Sequence, residues 1–460
     1  MGKRIFFIGI GGSGMSGLAQ LTCARGNVVS GSDRNFDQQR DQELLSFLTS
    51  RGIKLFPQDG TGIEEGIDEV IISGAIEENN LDLKRARKFA LPVVTRAELL
   101  ARFFNSAQGI AVAGTSGKST ITAMTAKVMD EAGFDPTVIN GAIIPEYKGP
   151  GRLGNVKLGN SRFMLIESDE SDGSLVKFHP EIGILANISK DHKPLPELIR
   201  IFSKFIENIK TGVIVNADCP FSRNISARIP QERVLTFGFS RESGVRAEEV
   251  TLTASGSTFK VQETGFSLAV PGKHNIANAL AAISLGIKLK IPLGTMSKGL
   301  KMFRGVERRL FLLGETNGIK VFDDFSHNPA KIEAALETLK RMGSRLNVIY
   351  QPHGFGPTNL IKEELIATFN RALRKTDRLI LLDIFYVGGT AEKTISSAEL
   401  VREIWVPKAE NIKNREQVIA QVAAGAQPGD VVVVMGARDN SLTDVAQKIL
   451  KSLENKTVLK

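Results

Sequence analysis

Short apolar runs recur along the first part of the chain, separated by longer mixed stretches. The apolar runs predict strands at 4–9, 27–31, 53–56, 69–73 and 92–94, and the stretches between them predict helices at 14–25, 38–51, 81–89 and 96–103. Strands that alternate with helices in this way predict a parallel sheet covered on both faces. Gln108-Gly109 opens a fresh strand, which places a boundary near 107. The pattern then restarts with a strand, a glycine-rich turn and a long helix over 118–132. Met164-Leu165-Ile166 and Ile182-Gly183-Ile184-Leu185-Ala186-Asn187 predict two more strands. Short β-like runs over 233–270 give way to Pro271-Gly272-Lys273-His274-Asn275 and an alanine-rich helix. A third unit from about 310 carries strands at 319–322, 346–350, 378–382 and 430–434. Within it, Val431-Val432-Val433-Val434 has the composition of a fully buried parallel strand.

Composition narrows the class. The 460 residues suit about three domains, and 42% hydrophobic with 24% charged residues is ordinary for a globular protein. Cys23 and Cys219 are too few for a disulfide framework, which points to a reducing, cytoplasmic setting. No run approaches the ~18 apolar residues of a membrane span, and the apolar N-terminal run meets glycines at once, so neither a membrane nor a cleaved leader is expected. A formal charge of +9 fits an electropositive cleft for phosphorylated substrates. Nucleic acid is not the expected partner, because no basic tract interleaves with aromatics.

Two glycine-rich turns carry the candidate chemistry. Gly9-Ile10-Gly11-Gly12-Ser13-Gly14 follows the first strand at the spacing of a dinucleotide fold, where bare backbone N–H groups hold a diphosphate. Gly11, Gly12, Ser13 and Gly14 are the diphosphate candidates, with Ser73 near them and Asp33 where a ribose-binding acid belongs. Gly114-Thr115-Ser116-Gly117-Lys118-Ser119-Thr120 is of the other kind. Its N–H groups face phosphate oxygens, Lys118 reaches the terminal phosphates, and Ser119 holds Mg²⁺. The leading glycine of the usual P-loop is replaced by Val112. Lys118 stands at a helix N-terminus, an unfavourable place for a cation unless an anion offsets it, which points to ATP.

Glu167, Asp169, Glu170 and Asp172 crowd four carboxylates into six residues. A solvated acidic loop is the plain reading. Because the cluster follows a strand of the ATP unit, Glu167 is also a candidate for Mg²⁺, and His192 for a second ion. His274, His327 and His353 each sit in a local motif at a loop–element junction.

These motifs resemble, in order, those of the Mur ligase family. The resemblance runs through GIGGSGMSGLA (Gly9 to Ala19), SGSD (Ser30 to Asp33), AGTSGKST (Ala113 to Thr120), ESDESD (Glu167 to Asp172), Asn187 to His192, PGKHNIAN (Pro271 to Asn278), Gly305 to Arg309, DDFSHNP (Asp323 to Pro329), QPH (Gln351 to His353) and Gly436-Ala437. It implies an α/β fold of three domains. These are a Rossmann-like UDP-sugar domain at 1–107, a central P-loop ATPase-like domain at 108–309 and a Rossmann-like C-terminal domain at 310–460. It also implies an ATP-dependent ligase that joins an amino acid, L-alanine or a variant acceptor, to the carboxylate of a UDP-N-acetylmuramate-type nucleotide sugar through an acyl phosphate. The matched positions give Lys118, Glu167 and His192 catalytic roles and make Ser119, Glu167 and His192 metal ligands. His274, Asn275, Asn278, Arg309 and Asp324 join the lysine loop in holding ATP. Phe325, His327, His353 and Arg438 fall in the acceptor site. A monomer or homodimer is expected.

Departures from the family pattern fall mainly in the acceptor motifs. The alanine-adding members usually read GTHGKTT, DDYGHHP and QPHRYTRT. Here Ser116 replaces the histidine of the first, Phe325, Ser326 and Asn328 change the second, and Gly354 and Pro357 replace both arginines of the third. Lys193-Pro194-Leu195 replaces the usual acidic continuation after Asp191-His192. The resemblance implies that the lost arginines face the acceptor carboxylate, and Arg438 is a candidate substitute. Three other readings stay open. They are a recycling ligase that adds a peptide, a degenerate paralogue that senses UDP sugar or ATP, and an NAD-dependent dehydrogenase carrying an ATP loop.

Overall fold

The computed structural model describes residues 2–458 apart from 75, 150–151, 171–172, 191–192, 254, 387–392 and 407; the side chains of Ser13 and of 456–458 also lie outside the description. The chain packs as two compact units. One comprises Met1–Val250, Thr258–Leu268 and His274–Arg304, the other Thr251–Ser257, Ala269–Lys273 and Gly305–Lys460.

In the first unit the leading sheet has five strands in the order Lys54–Phe56, Val28–Ser32, Arg4–Ile8, Glu69–Ile72 and Val93–Thr95, every neighbour parallel. Arg4–Ile8 sits at its centre, and its side chains divide by parity. Ile5 and Phe7 enter one core with Leu18 and Leu48, whereas Phe6 and Ile8 enter another with Val70 and Leu83. Both faces are covered, which is why the strand reads as an unbroken apolar run. One predicted helix starts four residues late. Within the span expected at 38–51 the helix is Gln42–Ser50, and a separate short helix, Arg34–Asp37, precedes it; Asp33 caps the short one, and the left-handed backbones of Gln39 and Asp41 divide the two.

The second sheet has eight strands, ordered Val156–Lys157, Thr137–Ile139, Phe163–Glu167, Gln108–Ala113, Ile182–Leu185, Gly212–Asn216, Val234–Gly238 and Val245–Arg246. Its pairings are parallel except for the edge pair of Val156–Lys157 with Thr137–Ile139. Gln108–Ala113 lies between Phe163–Glu167 and Ile182–Leu185, so the loop that follows it emerges between their carboxyl ends. The helix Lys118–Glu131 starts where the sequence predicts. Residues 248–268 form a separate three-stranded sheet of Glu248–Thr253, Gly256–Val261 and Thr264–Leu268.

The second unit holds a six-stranded sheet, ordered Phe311–Thr316, Ile319–Asp324, Asp430–Met435, Arg345–Tyr350, Arg378–Leu381 and Lys408–Asn411. The first pair is antiparallel and the rest parallel. Val431 and Val433 face one core, Val432 and Val434 the other, all fully buried as their composition predicts. Two strands were not predicted, Phe311–Thr316 and Lys408–Asn411. Both are edge strands with few buried positions, so they lack the apolar run that marks a central strand. Among the described residues no helix is long and apolar enough to cross a membrane.

Candidate active site

The lysine loop is shaped from outside itself. Thr115 N–H donates to Asn187 O at 3.0 Å, and Ser116 N–H donates to Asn187 Oδ1 at 3.0 Å. Asn187 Nδ2 returns a bond to Ser116 O at 2.9 Å. Thr115 Oγ1 also joins Ser189 O and N, each at 3.1 Å. The N–H groups of Thr115 and Ser116 are thus both engaged by Asn187. The N–H groups available to an anion are those of the first helical turn, from Gly117 onward. Gly117 has φ +87°, and a Cβ there would stand 2.6 Å from Asn278 Oδ1, so both backbone and space require glycine. Asn275 and Asn278 are therefore brought against the loop by the helix Lys273–Lys288, joined to each other at 3.3 Å. His274 lies in the same first turn and is exposed.

Lys118 has an anion at hand within the chain. Its Nζ lies 2.7 Å from Glu170 Oε2, 2.9 Å from Gly114 O and 3.7 Å from Asp169 Oδ1. Burial pulls the ammonium toward its neutral form, but Glu170, Asp169 and Glu167 outweigh it and hold the pKa above the ordinary lysine value. Burial pushes the Glu170 carboxyl up, against the pull of Lys118. The side chain of Glu170 is 2% exposed, so the reading of a solvated acidic loop fails for this member of the cluster. Sequence reasoning also missed Glu170 as a partner of Lys118, because the two are 52 residues apart and no local signal links them.

Glu167 ends the strand Phe163–Glu167 beside the loop strand, in register with Val112, and its Oε2 accepts from Gly141 N–H at 2.7 Å. Ser119 is buried in the first turn of the loop helix. The expected third ligand, His192, lies outside the described residues, as do Asp172 and Asp191. Among the described residues no three His, Cys, Asp or Glu side chains converge as a metal-ligand set. A hydroxyl and a carboxylate flanking a phosphate loop still fit Mg²⁺, a hard ion held by one or two protein oxygens plus substrate phosphates.

At the first glycine loop, Gly12 caps the helix Ser13–Ala24, and the side chain of Ser13 lies outside the described residues. Asp33 is turned onto the loop. Its Oδ2 accepts from Gly11 N–H at 2.7 Å and its Oδ1 from Asn35 N–H at 2.9 Å. Burial pushes its pKa up, against those two bonds. The expected ribose acid thus serves to hold the loop and cap a helix. A Cβ on Gly9 would come within 3.8 Å of Ser73 Oγ, which places Ser73 at this loop. Arg96 was missed. A Cβ on Gly14 would meet its guanidinium at 3.2 Å, so a cation stands over the start of the first helix. The available signal was an arginine directly after the last strand of a phosphate-binding sheet.

The remaining residues belong to the second unit. Asp324 is buried and accepts from Leu310 N–H at 2.8 Å and Ser326 N–H at 3.2 Å. The guanidinium carbons of Arg309 and Arg308 lie 4.6 and 5.0 Å from the Phe325 ring centroid. His327 follows Ile319–Asp324 and His353 follows Arg345–Tyr350; their rings meet edge to face at 5.3 Å. Arg438 follows Asp430–Met435, the strand between those two, and is exposed on a left-handed backbone with φ +67°. It makes no hydrogen bond or ion pair to any described residue. Phe325, His327, His353 and Arg438 thus all leave the carboxyl ends of three adjacent parallel strands, where α/β sheets place ligands.

Residues 4–108 match the Mur ligase family catalytic domain, 112–286 the Mur ligase middle domain, and 308–438 the Mur ligase glutamate ligase domain. The chain belongs to the Mur ligase family. Among Mur ligases it is 36% identical to the UDP-N-acetylmuramate–L-alanine ligase of Thermosynechococcus vestitus, over 95% of this chain and 93% of that one. It is 34% identical to the enzyme of the same name from Rhizobium etli, over 98% and 97%. The UDP-N-acetylmuramate-alanine ligase of Thermotoga maritima superposes with a TM-score of 0.79 at 26% identity, over 99% of this chain and all of that one. A murein peptide ligase of Psychrobacter arcticus shares the fold, with a TM-score of 0.70 at 22% identity over 99% of each chain.

Proposed function

We propose that this Mur ligase joins L-alanine to the carboxylate of UDP-N-acetylmuramate at the expense of ATP, in the building of peptidoglycan precursors. The observation that carries the reading is the lysine loop at the centre of the eight-stranded sheet, with Lys118 buried among three carboxylates beside Asn275 and Asn278. It supports phosphoryl transfer, and the near full-length relatives named for the alanine reaction support the choice of substrates.

In this reading residues 1–107 hold the UDP sugar on Gly11, Gly12, Ser13, Gly14 and Ser73, with Arg96 added to that set. Asp33 keeps the loop in shape. Residues 108–309 hold ATP on the first turn of the lysine-loop helix, and residues 310–460 supply the acceptor site with Phe325, His327, His353 and Arg438. The sugar carboxylate attacks the γ-phosphorus of ATP, ADP leaves, and the acyl phosphate so formed is attacked by the amine to give an amide and phosphate. Lys118 stabilises charge on the transferring oxygens. Ser119, Glu167 and His192 would hold Mg²⁺, which when bound supplies further positive charge to those oxygens.

The test is ADP release from purified protein with ATP, Mg²⁺ and UDP-N-acetylmuramate across a panel of amino acids and small peptides. Release that needs both the sugar and L-alanine supports the proposal. Release with a tripeptide alone would move the chain to the recycling reaction, and nucleotide binding without release under any condition would leave a sensor.

A further inference from the structure

The pairing of Lys118 with Glu170 goes beyond what a nucleotide loop requires. An ammonium has three N–H donors. Here Gly114 O at 2.9 Å and Glu170 Oε2 at 2.7 Å engage two of them, while Asp169 Oδ1 at 3.7 Å stands beyond hydrogen-bond reach. Glu170 is buried, 2% exposed, and Lys118, 12% exposed, opens a 14-residue helix. The carboxylate therefore offsets both the desolvation of the cation and its unfavourable place on the helix dipole. Glu167 adds its charge from further off, and its Oε2 accepts from Gly141 N–H.

We propose that Glu170 is a positioning residue that competes with nucleotide phosphate for Lys118. It fixes the ammonium while the loop is empty, and by offsetting its charge it limits how tightly the loop holds a nucleotide. The inference rests on the reading of this loop as the ATP site. With two donors committed, Lys118 meets an arriving phosphate through the third and needs no rearrangement of its stem. After phosphoryl transfer the same carboxylate opposes the negative charge of ADP and favours its departure. A pair that served the fold alone would act in the opposite sense: its removal would loosen the loop and weaken every ligand.

The sign of the effect tests this. ADP with Mg²⁺ is titrated calorimetrically into the full chain and into Glu170→Gln and Glu170→Asp. A unit charge a few ångströms from another is worth one or more pKa units, so neutralising Glu170 should tighten ADP binding on the order of tenfold. Glu170→Asp, whose carboxylate stands a methylene further back, should fall between that variant and wild type. In steady-state assays kcat and the KM for ATP should drop together in Glu170→Gln, a paired fall that a structural role gives no reason for. Equal or weaker ADP binding by a folded Glu170→Gln overturns the proposal. If Glu170→Gln does not fold, equal or weaker binding by Glu170→Asp overturns it as well. Failure of the wild-type chain to bind ADP would remove the nucleotide reading and the inference with it, and would show before any substitution is made.

Discussion

Single side chains decide the chemistry, and three of them give direct tests. Lys118→Ala removes the one cation set at the lysine loop by Glu170 and Gly114. Loss of a preorganised charge stabiliser typically costs about 10²–10³ in rate, so turnover measured as ADP release should fall by that order. Gly117→Ala would force a left-handed alanine against Asn278, so weaker ATP binding is expected by calorimetry. Arg438 keeps an unfavourable backbone, and its guanidinium engages no described residue at the carboxyl end of the second unit's sheet. If it holds the acceptor carboxylate, Arg438→Ala should raise the KM for L-alanine by about tenfold or more, the worth of one charge-assisted hydrogen bond. An unchanged KM would remove it from the site. What the sequence showed at this scale was whatever is local: the glycines, Lys118 and Ser119. Asn187 as the clamp on Ser116, 71 residues away, could not be seen, because only the parallel pairing of their two strands brings them together.

Elements were legible where burial on two faces enforces an apolar run, as in Arg4–Ile8 and Asp430–Met435. They were less so at edges and at turns such as Gln39–Asp41, where left-handed residues other than glycine leave no sequence signature. One helix joins the first sheet to the second within the first unit, Arg96–Asn105. Phe104 is fully buried and meets Phe178 edge to face at 5.4 Å, and Asn105 Nδ2 donates to Lys177 O at 3.0 Å. Phe104→Ala should therefore destabilise the protein by about 3–5 kcal/mol, read from denaturant unfolding. The same helix carries a charge link. Glu98, held by Lys177 and by the Thr95 backbone, titrates at about 2 instead of 4.5. A depressed carboxyl contributes stability above its ordinary value and loses it as pH falls from 4.5 towards about 2. The difference in melting temperature between wild type and Lys177→Met should accordingly be present near neutrality and vanish at the acid end of that window. Both side chains are substantially exposed, so the difference will be small.

At the scale of the whole molecule, two compact units, each with its own large sheets and core, make a single cooperative transition the wrong expectation, and calorimetry should resolve more than one. A ligand that binds only the folded form stabilises it by RT ln(1 + [L]/Kd), about 2.7 kcal/mol at a hundredfold excess over Kd. ADP with Mg²⁺ should therefore raise a transition of the wild-type chain and leave that of a folded Lys118→Ala variant nearly in place. The order of the domains was legible because each begins with its own strand and turn. The gathering of Phe325, His327, His353 and Arg438 at one sheet end was only partly so: it depends on Asp430–Met435 inserting between two strands that precede it by many residues. The clamp on the lysine loop also divides its two partners into one that tolerates exchange and one that does not. Position 116 meets Asn187 through its main chain alone, giving N–H and receiving at O. The shape of the loop therefore depends on the side chain of residue 187 and hardly on that of residue 116. Ser116→His should then leave in place the bonds that keep the loop in form, whereas Asn187→Ala should undo them.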